Sequence, residues 1–165
     1  MAESLDETPT RAVDYAAINA AWGALLVGVL ASTKSDAPPA HELPVHALAT
    51  FALSKALAKE KVGSWARAPV VDEGAGKPKG SRLRYAAGEL ITCTRCLGTW
   101  SALGLVGLRV IRPREGRIVA SVLATAGMND WLQAAFSAVT SKANTEKKLA
   151  NAPLEEWPSA ERFAR

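Results

Sequence analysis

Apolar residues in this chain gather into windows almost free of charge, separated by short stretches that hold nearly all of the Lys, Arg, Asp and Glu. The first window is the cleanest. Residues 15–31 carry no charged side chain, and Asn19 is the main polar intrusion. With Ala12 and Val13 the window covers about 12–31, close to the ~20 residues a helix needs to cross ~30 Å of hydrocarbon. A buried helix of a soluble protein is the alternative, because Ala is only weakly hydrophobic. Residues 32–42 contain Pro38 and Pro39 and read as a loop.

A second window, 43–58, is interrupted by Lys55. It either spans, with Lys55 reaching the interface along its stem, or lies in the interface as an amphipathic helix; spanning is preferred. The third window, 90–108, is broken by Arg95 near its start and carries Trp100 one turn inside the presumed interface. The fourth, 118–140, is long enough to cross, with Asn129, Asp130 and Gln133 in its middle and second half. A rival reading breaks it at Gly127, with Asn129 or Asp130 capping a new helix. Between them, 59–88 is polar with a Gly- and Lys-rich centre at 72–80 that reads as flexible, and 109–117 reads as a tight turn. The pattern predicts an all-α, small multi-spanning membrane protein of three to four transmembrane helices with a cytoplasmic loop. Its divisions are a polar tail at 1–11, a helical membrane domain at 12–141, and a charged, little-structured tail at 142–165.

Averages change this picture little. Hydrophobic residues make up 48% and charged residues 22%, and the mean hydropathy is +0.03. A membrane protein with polar tails and an Ala-rich soluble protein share such values, so the distribution decides. The net charge of +4 sits between apolar windows rather than among aromatics on one face. That favours loops beside anionic lipid, and no nucleic-acid partner is expected. The acidic start, MAESLDETPTR, lacks the positive charge of a signal peptide, so the first window reads as retained.

Lys and Arg fix the orientation. With four spans and the N-terminus inside, the inner side holds Arg11, seven cations of the middle segment and five of the C-terminal tail. The outer side holds Lys34 and Arg109, Arg112, Arg114 and Arg117. If the second window only lies on the surface, the N-terminus moves outside, but the middle segment and the C-terminus stay cytoplasmic. Both versions put Cys93 and Cys96 at the cytoplasmic boundary.

Four pieces of the chain carry a resemblance: LATFALSKALAKEKV at 48–62, WARAPV at 65–70, GELITCTRCLGTW at 88–100 and NDWLQ at 129–133. Together they make residues 46–140 similar to the uncharacterised bacterial membrane family known as domain of unknown function 1360. Two departures stand out. Thr94 and Arg95 follow the first Cys where the family usually has Pro, and Glu60 stands where it usually has Asp. The resemblance implies a multi-pass protein of a bacterial cytoplasmic membrane and implies no activity.

Chemistry centres on Cys93 and Cys96. A Cys-x-x-Cys spacing puts two thiols one helical turn apart, within reach of a disulfide or a shared metal. A helix N-terminus with Arg95 between them favours the thiolate. Three readings stay open: packing residues, a thiol-redox pair, and half a zinc site completed across a dimer. A closed zinc site needs four ligands, and His41 and His46 fall on the opposite side in the four-span arrangement. Glu89 is placed to pair with Arg82, Arg84 or Arg95, to assist a metal, or, most simply, to complement a helix dipole. Asp130 inside a span needs a partner, with Lys55 or Arg95 proposed and Asn129 and Gln133 adding hydrogen bonds; an interhelical clamp is preferred over a proton path. Lys59, Lys61, Trp65 and Arg67, beside Lys55, suit anionic lipid headgroups. No phosphate loop, HExxH, GxSxG or paired-carboxylate constellation is present. The expectation is a non-enzymatic membrane scaffold or partner-binding protein, with a protein partner or a homodimer; the alternative is a cytoplasmic-face thiol-redox or zinc site.

Overall fold

The computed structural model of the chain describes residues 9–33 and 37–150, and these fall in two compact units, residues 1–128 and 129–165. The expected all-α class holds. Six helices follow in order: α1 (Ala12–Ser32), α2 (Leu43–Lys59), α3 (Ser64–Arg67), α4 (Leu83–Thr92), α5 (Thr94–Ile111) and α6 (Pro113–Ala150). One hairpin, β1 (Val71–Asp72) against β2 (Lys77–Pro78), interrupts them between α3 and α4.

Helix α1 begins where Asp14 accepts the Arg11 backbone N–H at 2.9 Å, which satisfies one of the donors a helix start leaves over. Among the described residues it is the one helix long and apolar enough to cross a membrane, with a mean hydropathy of 1.5 over its best window. A signal sequence near an N-terminus shares those properties. The other expected spans differ from their windows. Helix α2 has 17 residues and carries Lys55 and Lys59. The third window is split: Leu90 belongs to α4, the chain is extended at Cys93, and α5 starts at Thr94, with Arg95 and Arg109 lowering its apolarity. The expected turn at 109–117 shrinks to Arg112, because Pro113 is well suited to a helix's first turn. Helix α6 runs unbroken through Gly127, as the single fourth window expected and against the rival break there, and it continues to Ala150, where a little-structured tail was expected. Residues 1–8, Lys34 and 151–165, including the rest of that tail, lie outside the described residues.

The middle segment is more ordered than its composition predicts. Asp72 Oδ1 accepts the N–H groups of Gly74 and Ala75 at 3.0 and 3.2 Å, an Asx turn that closes the hairpin, and Gly76 supplies the positive φ it needs. Helix α4 then lies on the hairpin at Gly88, where any Cβ would come within 2.7 Å of the Val70 carbonyl.

The core of the first unit sits among α2, α5 and α6. Ala49, Leu105, Ala120 and Ala124 are buried there, surrounded by Val45, Leu48, Leu53 and Leu123. Small residues let the backbones approach. A Cβ on Gly127 would meet the Leu48 carbonyl at 2.9 Å, and one on Gly116 would fall 2.4 Å from the Arg109 Cα. Above this core, Arg109 grips Glu42 with two hydrogen bonds of 2.7 and 3.0 Å and ties α5 to the start of α2. Among the described residues no large side chain is fully buried, while Leu25, Val27, Leu30 and Val122 stay more than half exposed. In the second unit, the same holds for Trp131, Leu132, Phe136 and Val139.

Candidate functional site

The break between α4 and α5 holds the cysteine pair. Cys93 has extended backbone angles, and its Sγ accepts the Cys96 N–H at 3.3 Å. The sulfur thus does the work of an N-cap oxygen, which is why the helix restarts here rather than running through. Both cysteines are free, Cys93 half-buried and Cys96 exposed. For Cys93, which precedes the first residue of α5, burial pushes the thiol up. Hydrogen bonds with the Cys96 side chain and with the backbone of Cys96 and Arg95, and the Lys59 charge, outweigh it and hold the thiol below its ordinary value.

These sulfurs open into a cleft of about 460 Å³ between α1, α4 and α5. Helix α1 contributes Tyr15, Ile18 and Asn19; α4 contributes Ala86, Glu89 and Leu90; α5 contributes Thr99 and Trp100 beside Cys96. Polar bonds hold α1 in place. Arg82 Nε reaches both carboxylate oxygens of the buried Asp14 at 3.2 and 3.0 Å, and its backbone N–H donates to the Pro9 carbonyl at 2.7 Å. The Trp22 indole donates to the Thr99 carbonyl at 3.3 Å. The Tyr15 hydroxyl donates to Glu89 Oε2 in a short hydrogen bond, with the Thr10 hydroxyl 3.1 Å from the phenol oxygen.

The structure therefore brings together Cys93, Cys96 and Glu89, and it corrects the expected partners of Glu89. Arg82 is committed to Asp14, and Arg84 donates to the Pro69 carbonyl. Glu89 lies in the second half of α4, so it does not serve as a first-turn acid. Arg95 is exposed. Lys55 pairs with Glu60 at 3.4 Å. Asn129, Asp130 and Gln133 fall in the second unit, Asp130 half-buried and the other two exposed.

Arg67 departs most from expectation. Instead of facing lipid headgroups it is buried, donating to the Leu57 and Glu60 carbonyls at 2.6 and 3.0 Å and to both oxygens of Glu73. It closes the end of α2, where carbonyls lack helical partners. Lys59, Lys61 and Trp65 are exposed.

Among the described residues no three His, Cys, Asp or Glu side chains form a group able to hold a metal ion. Sequence reasoning missed Tyr15, whose partner lies 74 residues away. It also missed Asn19 as part of the cleft, although its polarity in an apolar window was visible.

No curated protein and no solved structure matches the chain. A family profile described as a protein of unknown function, DUF1360, matches residues 45–136, which takes in α2, the hairpin, the Cys93–Cys96 break, α5 and much of α6. Because that match covers more than half of the sequence, the chain belongs to the DUF1360 family.

Proposed function

We propose that this protein crosses a bacterial cytoplasmic membrane several times, with its C-terminus cytoplasmic, and serves as a non-enzymatic scaffold presenting the hairpin-bearing loop to a protein partner. One observation carries it: α1 has a single buried residue, the acid Asp14, while Val13, Leu25, Val27 and Leu30 are more than half exposed. In water each such side chain left exposed forgoes about 1.5–3 kcal/mol. In lipid the same arrangement is favourable, because tails solvate Leu and Val while small residues bring helices together. The Ala and Gly contacts among α2, α5 and α6 agree with that solvent. Lys59, Lys61 and Trp65 then lie at anionic headgroups. In the second unit, Asp130 acts as an interhelical clamp with help from Asn129 and Gln133.

Washing isolated membranes with alkaline carbonate tests the address. Retention in the pellet is expected, and release into the supernatant as a compact monomer overturns it. Orientation follows from thiol labelling of Gly74→Cys, expected only from the cytoplasmic face, and Glu115→Cys, expected only from the opposite one.

A second reading is favoured by the shared cleft: Cys93 and Cys96 form a cytoplasmic-face thiol site. Rapid alkylation of Cys93 at neutral pH supports it, and zinc co-purifying at one ion per two chains would turn it into a dimer-shared metal site.

A further inference from the structure

Resting on the thiol-site reading above, we propose that the α1–α4–α5 cleft takes a small disulfide bearing an alkyl chain and that Cys93 and Cys96 reduce it, with Glu89 as proton acceptor and Tyr15 as its positioning residue. Three observations converge on this. The Cys93 sulfur stands at the start of α5 with the Cys96 N–H directed at it, the setting that favours an attacking thiolate. A carboxylate lines the same cleft as both sulfurs. Its Oε2 is held by the Tyr15 hydroxyl. The cleft's wall also continues into an apolar recess of about 330 Å³ that shares Ile18, Leu90 and Trp100 with it and adds Ala17, Ala21 and Ala87. An uncharged chain a few carbons long fits such a recess, and a molecule carrying one partitions into the membrane boundary.

The chemistry balances within these groups. The Cys93 thiolate attacks one sulfur of the substrate, breaking its S–S bond, forming a mixed disulfide on Cys93 and releasing one alkyl thiolate. Cys96 gives its proton to Glu89 and attacks the Cys93 sulfur, closing the Cys93–Cys96 disulfide and expelling the second thiolate. Glu89 returns its proton to one departing thiolate, and the other takes from water the proton that Cys93 released on ionising. The protein dithiol loses two electrons and two protons, and the substrate leaves as two thiols.

The test uses the reduced full-length protein in lipid nanodiscs, with dibutyl disulfide and the more polar hydroxyethyl disulfide as probes and intact mass as the readout. Oxidation by dibutyl disulfide is expected to be about tenfold faster, since burying each extra methylene is favourable. Ala17→Phe fills the recess and is expected to abolish that preference by slowing the dibutyl disulfide reaction. Cys96→Ser is expected to stop at the mixed disulfide on Cys93. Glu89→Gln is expected to slow closure of the internal disulfide about a hundredfold and flatten its pH profile. Tyr15→Phe is expected to shift that profile without removing it. Equal rates for both probes overturn the alkyl substrate. An unaltered Glu89→Gln profile overturns the proton acceptor. If neither probe oxidises the pair while iodoacetamide still labels Cys93, disulfide reduction fails and the thiol site stands. If iodoacetamide also fails, the thiol site itself falls.

Discussion

Two faces of α5 are held in opposite ways. Toward α2 and α6 it packs by shape: Leu105 is buried among Ala49, Ala120 and Ala124, and the neighbouring glycines of α6 bring backbone against backbone. Toward α1 it packs thinly. A Cβ on Gly107 would meet Val29 at 3.0 Å, but most of the attachment runs through polar bonds, the Trp22 indole to Thr99 and, by way of α4, Asp14 to Arg82 and Tyr15 to Glu89. The first interface leaves no room, and the second leaves the cleft. Small side chains give close approach but no chemistry, whereas polar anchors spaced along a helix can hold it off its neighbour and keep a cavity between them. The reactive sulfurs sit on the open side.

The largest effect should come from spoiling the tight side. Gly127→Leu forces a side chain into the Leu48 carbonyl and the Ala52 methyl. Overpacking of this kind costs about 3 kcal/mol, and a marked fall in thermal midpoint in detergent is expected. Gly28→Leu on α1, where nothing lies within 4 Å of a new Cβ, is expected to leave the midpoint unchanged. Equal losses at both positions would erase the contrast between the two interfaces.

Cutting the polar anchor comes next. Asp14→Asn removes the charge that Arg82 grips at the start of α1. Hydrogen exchange is expected to accelerate in the first turns of α1 and at Tyr15, with protection of α2 and α5 residues such as Ala49 and Leu105 retained. Uniform acceleration would mean that α1 and the core open as one.

The two sides were also unequally legible in the sequence. The apolar window of α1 and the helical character of the α2, α5 and α6 regions follow from local composition, so their existence could be read directly. The split at Cys93 could not, because it depends on a sulfur accepting one amide in place of a helical continuation. The Arg67 reversal has the same origin. A cation after Trp65 looks like a headgroup ligand until the end of α2 presents it with the Leu57 and Glu60 carbonyls. In the site, the cysteines announced themselves by spacing, while Tyr15 and Asn19 become part of it only when α1 folds across α4, a contact no local pattern encodes. Hydropathy blurred too. Arg95 and Arg109 in α5, and Asn129, Asp130 and Gln133 in α6, lower both windows, and the large apolar side chains around the α6 polar residues stay exposed.

Smaller still, and confined to the tight side's rim, is a dependence on pH. Hydrogen bonds from Arg109, opposed by burial, hold the Glu42 carboxyl below its usual value of 4.5, and Arg67 does the same for Glu73. A carboxyl whose value is depressed in the folded chain contributes stability that is complete above 4.5 and is lost as pH falls through the lower folded value. Thermal midpoints should therefore be level from neutrality down to about pH 5 and decline below it. Glu42→Gln is expected to lower the midpoint at neutral pH and to soften the acid decline, whereas Asn19→Ala, which alters only the open cleft, should leave the curve as it was. A decline that Glu42→Gln does not soften would assign the acid sensitivity elsewhere, to Glu73 beside Arg67 or to Asp14 on α1.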